Sequence, residues 1–172
     1  MREGISYMRV YLPATLAMIQ ELVTADDGRF LPLGGTGFAV TPALREAYTS
    51  GDDEELGEVA LREAARASLR LLSDDESGLP ARRVVVVADA DAAVRPDLDD
   101  AVVRVAGGVA TGDIVAVHVD GGAAESAVQA AVKAVDAADL GDEDAELTIG
   151  DVEDHDLGWY ATQELPFLLE LL

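Results

Sequence analysis

Four consecutive valines, Val84 to Val87 in "RRVVVVADAD", constrain this chain more than any other stretch. A strand with one wet face alternates polar and apolar residues, because successive side chains point to opposite sides. An unbroken β-branched run needs cover on both faces, so it belongs at the centre of a sheet with other elements packed above and below. At 172 residues the chain has the length of one domain and can bury such a strand without staples. It has no cysteine, so disulfides and thiolate metal sites are out of reach.

The remaining pattern supplies the cover. "RVYLPA" (9–14) alternates like a half-buried strand and leads into the helical "TLAMIQELV", with Leu16, Ile19 and Val23 on one face and Thr15 as cap. "FAV" (38–40) is a short strand, followed by Thr41-Pro42, a helix start. From Asp52 a long helix carries an apolar arc of Leu56, Val59, Ala60, Ala64, Ala67 and Leu71, widened by Leu61, Ala65, Ser68 and Leu72. An arc that broad implies burial on more than one side. "AVVRVAGGV" (101–109) and "DIVAVHVDG" (113–121) read as strands, "GAAESAVQAAVKAVDAADLG" as a helix, and "AELTIGDV" as a sixth strand with Leu147 and Ile149 on one face. The expectation is a single α/β domain over residues 8–172, bordering on α+β. It has a six-stranded mixed sheet in which strand–helix–strand units run parallel. Residues 1–7 are expected to be a frayed or disordered extension, because Met8 opens "MRVYLPATL" as a second plausible start.

Charge narrows the partners. With 34 acidic against 12 basic residues the formal charge is −22, which opposes phosphate backbones, so no nucleic-acid partner is expected. GC-rich coding and adaptation to a salty cytosol both account for the acidity as solvation. No stretch has the continuous apolar length of a membrane span, nor does the N-terminus read as a signal peptide; a cytoplasmic protein with no membrane partner is the expectation.

Several motifs invite chemistry and fail on context. "LGGTG" (33–37) runs into a strand, whereas phosphate loops run from strand into helix, so it reads as a turn. "DADAAVRPDLDD" (89–100) has acids at calcium-loop positions, but Val94 stands where glycine must turn and Pro96 interrupts, leaving an acidic turn. Arg62, Arg66 and Arg70 form a stripe among Glu55, Glu58 and Glu63, and read as the ordinary helix pairs Glu58–Arg62 and Glu63–Arg66. His118 shares a strand face with Ile114 and Ala116 and reads first as a packed histidine.

The segment "GDVEDHDLGWYATQELPFLLELL" draws most attention. Its acids Asp151, Glu153, Asp154 and Asp156 surround His155, but strand alternation splits them between two faces. No metal and no cofactor are expected. If an active site exists, its candidates are His118, His155 and Asp156; a ligand would meet Asp154, Trp159, Tyr160 or Glu164. The tail reads as a clasp: Thr162 or a neighbour caps a short helix with Pro166 in its first turn. Leu165, Leu168, Leu169 and Leu172 then line one face. So apolar a tail must finish the core or form an interface, which makes a homodimer or a protein partner the expectation.

Taken in order, "MRVYLPATL", "FAVTPALREAY", "GDDEELGEVALREAARASLRLL", "RRVVVVADAD", "AVVRVAG", "VAVHVD" and "DAELTIGDVEDHDLGWYATQELPFLL" resemble a family of actinobacterial proteins with no assigned function. The resemblance covers nearly everything from Met8 onward. It implies a cytoplasmic protein of a GC-rich bacterium and brings no activity, cofactor or catalytic residue. Function is therefore expected to be non-catalytic binding or regulation, with a small enzyme or ligand- or metal-binding protein using Asp151–Tyr160 and His118 as the alternative.

Overall fold

The computed structural model describes residues 4–25 and 28–172. The chain forms β1 (Ile5–Ala14), α1 (Leu16–Thr24), β2 (Arg29–Phe30), β3 (Thr36–Phe38), α2 (Pro42–Ala47) and α3 (Asp53–Ser73) in its first half. Then come β4 (Val84–Val94), β5 (Val102–Val105), β6 (Val109–Ala110), β7 (Ile114–Val119), α4 (Glu125–Asp139), α5 (Glu143–Glu153), β8 (Gly158–Tyr160) and α6 (Leu165–Glu170). Six strands make one sheet in the order β1-β3-β5-β4-β7-β8, while β2 and β6 pair separately. An α/β domain of one six-stranded sheet with helices packed on it is what the sequence implies.

The valine run sits where its composition demands. β4 pairs along its whole length with β1, from Ile5↔Ala93 to Ala14↔Val84. Its other edge is shared between β7 and β5. Because β1 also touches β3 at Tyr11↔Phe38, the strands β1, β3, β5 and β4 close into a ring of neighbours. Val84 to Val86 are fully buried and Val87 nearly so.

Register sorts the side chains. Val10, Leu12 and Ala14 of β1 share one face with Ala88, Val86 and Val84 of β4, and α1 and α6 cover it through Leu16, Ile19, Leu22, Leu165 and Leu168. Tyr11 and Pro13 share the opposite face with Val87 and Val85, covered by Leu56, Ala60, Ala64 and Ala65 of α3. Behind α3 lie α4 and α5, whose Val128, Ala131, Val135, Ile149 and Val152 form a third cluster with Leu69. Sandwiched between sheet and helices, α3 needs the broad apolar arc that its sequence shows. Buried Ser68 pins it to the sheet, donating to the Ala14 carbonyl at 2.7 Å and accepting from the Val84 N–H at 3.1 Å.

Four expectations need correction. Every pairing among the described residues is antiparallel, so the strand–helix–strand units do not make parallel crossovers. The helices connect strands that are not parallel neighbours, which lies outside the handedness rule. "AELTIGDV" is helix, not strand. Asp142 caps it by accepting the Ala145 N–H at 2.9 Å, acids fill its first turn, and Ala145, Ile149 and Val152 recur at helical spacing. Leu147, placed on one face with Ile149 by the strand pattern, is exposed, whereas Ile149 is buried. The sixth strand is instead β8, "GWY". Ile114 leaves the face of His118, because the register shifts between Val87 and Ala88. Of the extension over 1–7, residues 1–3 lie outside the described residues, while Ile5–Tyr7 lengthen β1 and pair with Ala93, Ala92 and Asp91.

Candidate functional site

The face of the sheet beneath α3 is not fully covered. Tyr11 rises from β1 against Gly57 of α3, where a Cβ would come within 2.9 Å of the tyrosine hydroxyl. A glycine inside a helix costs stability, and here it leaves room for the phenol. Beside Tyr11, Arg9 and Asp89 form a two-point ion pair across β1 and β4 at 3.0 and 3.2 Å. From β7 comes His118, opposite Val85 and opposite Trp159 of β8.

A hollow of about 780 Å³ opens here, lined on the sheet side by Met8, Arg9, Tyr11, Asp89 and His118 and on the helix side by Glu54, Gly57, Glu58 and Leu61. A second hollow, of about 390 Å³, shares Glu58, Leu61 and His118 with it and continues past Arg62 and Ala65 to Arg83, Glu153, His155, Asp156 and Leu157. Together they form one groove along α3, about 16 Å from Glu54 to Ala65 at the helical rise per residue.

Its far wall is held by a buried ion pair. Arg83 and Asp120 are 3% and 0% exposed. Arg83 Nε and Nη2 donate to the two Asp120 oxygens at 2.8 and 2.7 Å, and the Arg83 backbone N–H adds a third bond at 2.8 Å. Nη2 also donates to the His155 carbonyl at 2.7 Å, which sets the turn after α5 against the end of β7. A planar guanidinium with several donors suits this task; an ammonium would not span it.

Several polar side chains within the groove make no hydrogen bond or ion pair among the described residues. Arg66 and Arg70 bind Asp139, and Arg66 also binds Glu146, so two of the three stripe arginines tie α3 to α4 and α5 and do not pair with glutamates of their own helix. Arg62 is the exception: among the described arginines it alone makes neither hydrogen bond nor ion pair, and the Glu58–Arg62 pair of the sequence pattern does not form. The Tyr11 hydroxyl, the His118 imidazole and the Glu58 carboxylate also have no partner among the described residues. Burial raises the Tyr11 phenol and lowers the His118 imidazole from its ordinary 6.5, so His118 is neutral at pH 7 and offers one donor and one acceptor.

Of the residues singled out in the sequence, His118, His155 and Asp156 come together on this groove. Asp154 is exposed at the end of α5. Trp159 stands opposite His118 in the ladder and is 61% exposed. Tyr160 points to the other face and packs on the α1 side of the core. Glu164 is a cap, accepting the Ala161 N–H at 2.8 Å ahead of α6. No group of three or more His, Asp or Glu among the described residues could hold a metal ion. Tyr11, Glu58 and Arg62 were not legible as site residues. Arg83 and Asp120 left a signal, since each abuts an apolar strand, "RVVVV" and "VAVHVD", where a lone charge would be costly.

A further hollow of about 700 Å³ lies at the end of the strand ring, lined by Ile5, Gly34, Gly35, Asp91 and Arg104 among others. Its arginine is occupied, donating to the Gly34 carbonyl at 2.9 Å. The glycine turn there, with Gly34 and Gly35 at φ 70° and 71°, leads into β3 and offers no helix N-terminus to an anion.

A family model described as a family of unknown function (DUF6912) matches residues 8–169. No curated protein and no solved structure matches the chain.

Proposed function

The chain belongs to DUF6912, a family of unknown function, and we propose for it a non-catalytic role as a cytoplasmic binding or regulatory domain of an actinobacterium, with the α3 groove as its ligand site. One observation carries the proposal. Along one continuous groove, Tyr11, Glu58, Arg62 and His118 present unpartnered polar groups of different character, whereas the other described arginines are all engaged. Ligand sites combine apolar lining with a few convergent polar groups, and Val40, Leu61, Ala65 and Leu157 supply the apolar part.

A thermal-shift screen with nucleotides, sugar and acyl phosphates, amino acids and short peptides tests it. A ligand at 100 times its dissociation constant stabilises by about 2.7 kcal/mol, which reads as several degrees. The shift should shrink in Tyr11→Phe and His118→Ala. A screen with no response, or a response indifferent to both substitutions, would remove the groove from consideration.

Catalysis at the same groove is the second reading, favoured by a neutral imidazole lining a hollow that carboxylates also line, residue types suited to proton transfer. Self-association accompanies the binding role in our proposal. Leu165 and Leu168 enter the core, but Phe167 and Leu171 remain 67% and 84% exposed on α6 and just beyond it. Concentration-dependent light scattering that drops to the monomer mass on Phe167→Glu would support it; a monomer at all concentrations would end it.

A further inference from the structure

Unpartnered charges in the smaller hollow are of both signs. Arg62 brings a guanidinium; Glu58, Glu153 and Asp156 bring carboxylates that bind no cation among the described residues. The remaining cation, Arg83, is already saturated by Asp120 and the His155 carbonyl. His118 adds a neutral donor and acceptor, while Leu61, Ala65 and Leu157 add an apolar wall.

A purely anionic ligand would leave three carboxylates facing it, and a purely cationic one would leave Arg62 unanswered. These four charges are exposed in the free chain, so a ligand that covers them must replace the water it takes from them, and one that answers only one sign carries the cost of desolvating the other. A cavity of about 390 Å³ lies at the small end of the range that encloses small molecules. Arg62 lies one helical turn beyond Glu58 on α3, so the two charges that would hold a ligand's ends are neighbours on one helix face.

We infer that this end of the groove binds a small zwitterion, an α-amino acid with an apolar side chain, whose carboxylate meets Arg62 and whose ammonium meets Glu58 and the acids of the 153–156 turn. The inference rests on the α3 groove being the ligand site and specifies its chemistry. The guanidinium can hold the carboxylate by two parallel hydrogen bonds. The side chain lies along Leu61, Ala65 and Leu157.

Isothermal titration of the full chain with leucine, methionine and phenylalanine, each beside its primary amide and its N-acetyl form, tests the inference. The amide keeps only the positive end and the N-acetyl form only the negative end. The amino acid should bind about tenfold or more tightly than either, since a hydrogen-bonded charge contributes about that ratio. Arg62→Gln should weaken the amino acid until it matches the amide, and Glu58→Gln should bring it towards the N-acetyl form. Both side chains are exposed where they line the groove, and unchanged melting in each variant is the control for folding. An amide that binds as well as its amino acid overturns the inference, and so does an N-acetyl form that does, or an Arg62→Gln variant that weakens both equally. If none of the nine compounds binds while another class in the thermal-shift screen gives a response sensitive to His118→Ala, the zwitterion falls and the groove stands. Silence in both experiments removes both.

Discussion

The two faces of the sheet are built from the same strands and end in opposite conditions. On the α1–α6 face, Val10, Leu12, Ala14, Val84, Val86, Val117 and Val119 are sealed under two helices. On the α3 face the alternate positions of β1, β4 and β7 carry Arg9, Tyr11, Asp89 and His118, and one helix covers only part of the width. Side-chain alternation makes such a division available to any strand, since odd and even positions are free to follow different rules. Here one parity is sealed, while the other is sealed at Val85 and Val87 and opens into a groove beside them.

Substitutions should therefore separate into costs to folding and costs to the groove. The largest effect is expected where the two meet. Asp120→Asn leaves Arg83 buried with half a partner and should cost about 3–5 kcal/mol in denaturant unfolding. A cost near zero would mean that water reaches the pair. On the sealed face, Leu165→Ala should cost about 2–5 kcal/mol, through lost transfer energy and the cavity left behind. The measurement is again the unfolding midpoint, and an effect below about 1 kcal/mol would show that α6 merely rests on the core.

The groove face should respond differently. Gly57→Ala gains helix propensity of about 1 kcal/mol but pushes on the Tyr11 hydroxyl. Net stability should change by no more than about 1 kcal/mol, because the atom that must move is the far end of a side chain. Ligand-induced shifts should fall as the phenol is driven into the groove. A destabilisation of about 3 kcal/mol would show the ring to be wedged, and the two faces to be less different than they look.

The smallest effect should appear with pH. Burial holds His118 below 6.5. When pH drops beneath that value the unfolded chain takes up a proton that the folded chain refuses, so stability falls with acidification through this window. In His118→Ala that contribution is absent. Melting curves of the two proteins should keep a constant offset above about pH 7 and converge or cross below 6.5, with the wild type losing more. Parallel behaviour down to pH 5 would show an imidazole already open to water.

Much of the fold was readable because its signals were redundant. The valine run, the Thr15, Thr41 and Asp52 caps, and the wide arc of α3 all agree with the structure. The helix at 143–153 was misread because Leu147 and Ile149 mimic alternation over four residues; Ala145, Ile149 and Val152 needed a longer window. Strand direction was not readable at all, since pairing is decided by contacts far apart in sequence. The groove shows the same limit. His118, His155 and Asp156 drew notice as residue types, but Tyr11 and Arg62 became site residues only when β1 and α3 were laid side by side.

Arg83 also sets an order of assembly. Its guanidinium serves residues 37 and 72 positions further along the chain: the Asp120 carboxylate at the end of β7 and the His155 carbonyl. Without Asp120 to aim it, the side chain has no reason to point at the turn that precedes β8. Among the described residues β8 pairs with β7 alone, so the last segment of the chain, β8 and α6, is expected to dock after β4 and β7 have paired and to open before they part. Amide exchange should show this as earlier opening at Tyr160 and Leu168 than at Val86 and Val117; simultaneous opening would mean that the end of the chain is part of the nucleus. The last structure to form would then also be the first to loosen, and it begins directly after the 153–157 turn that walls the groove.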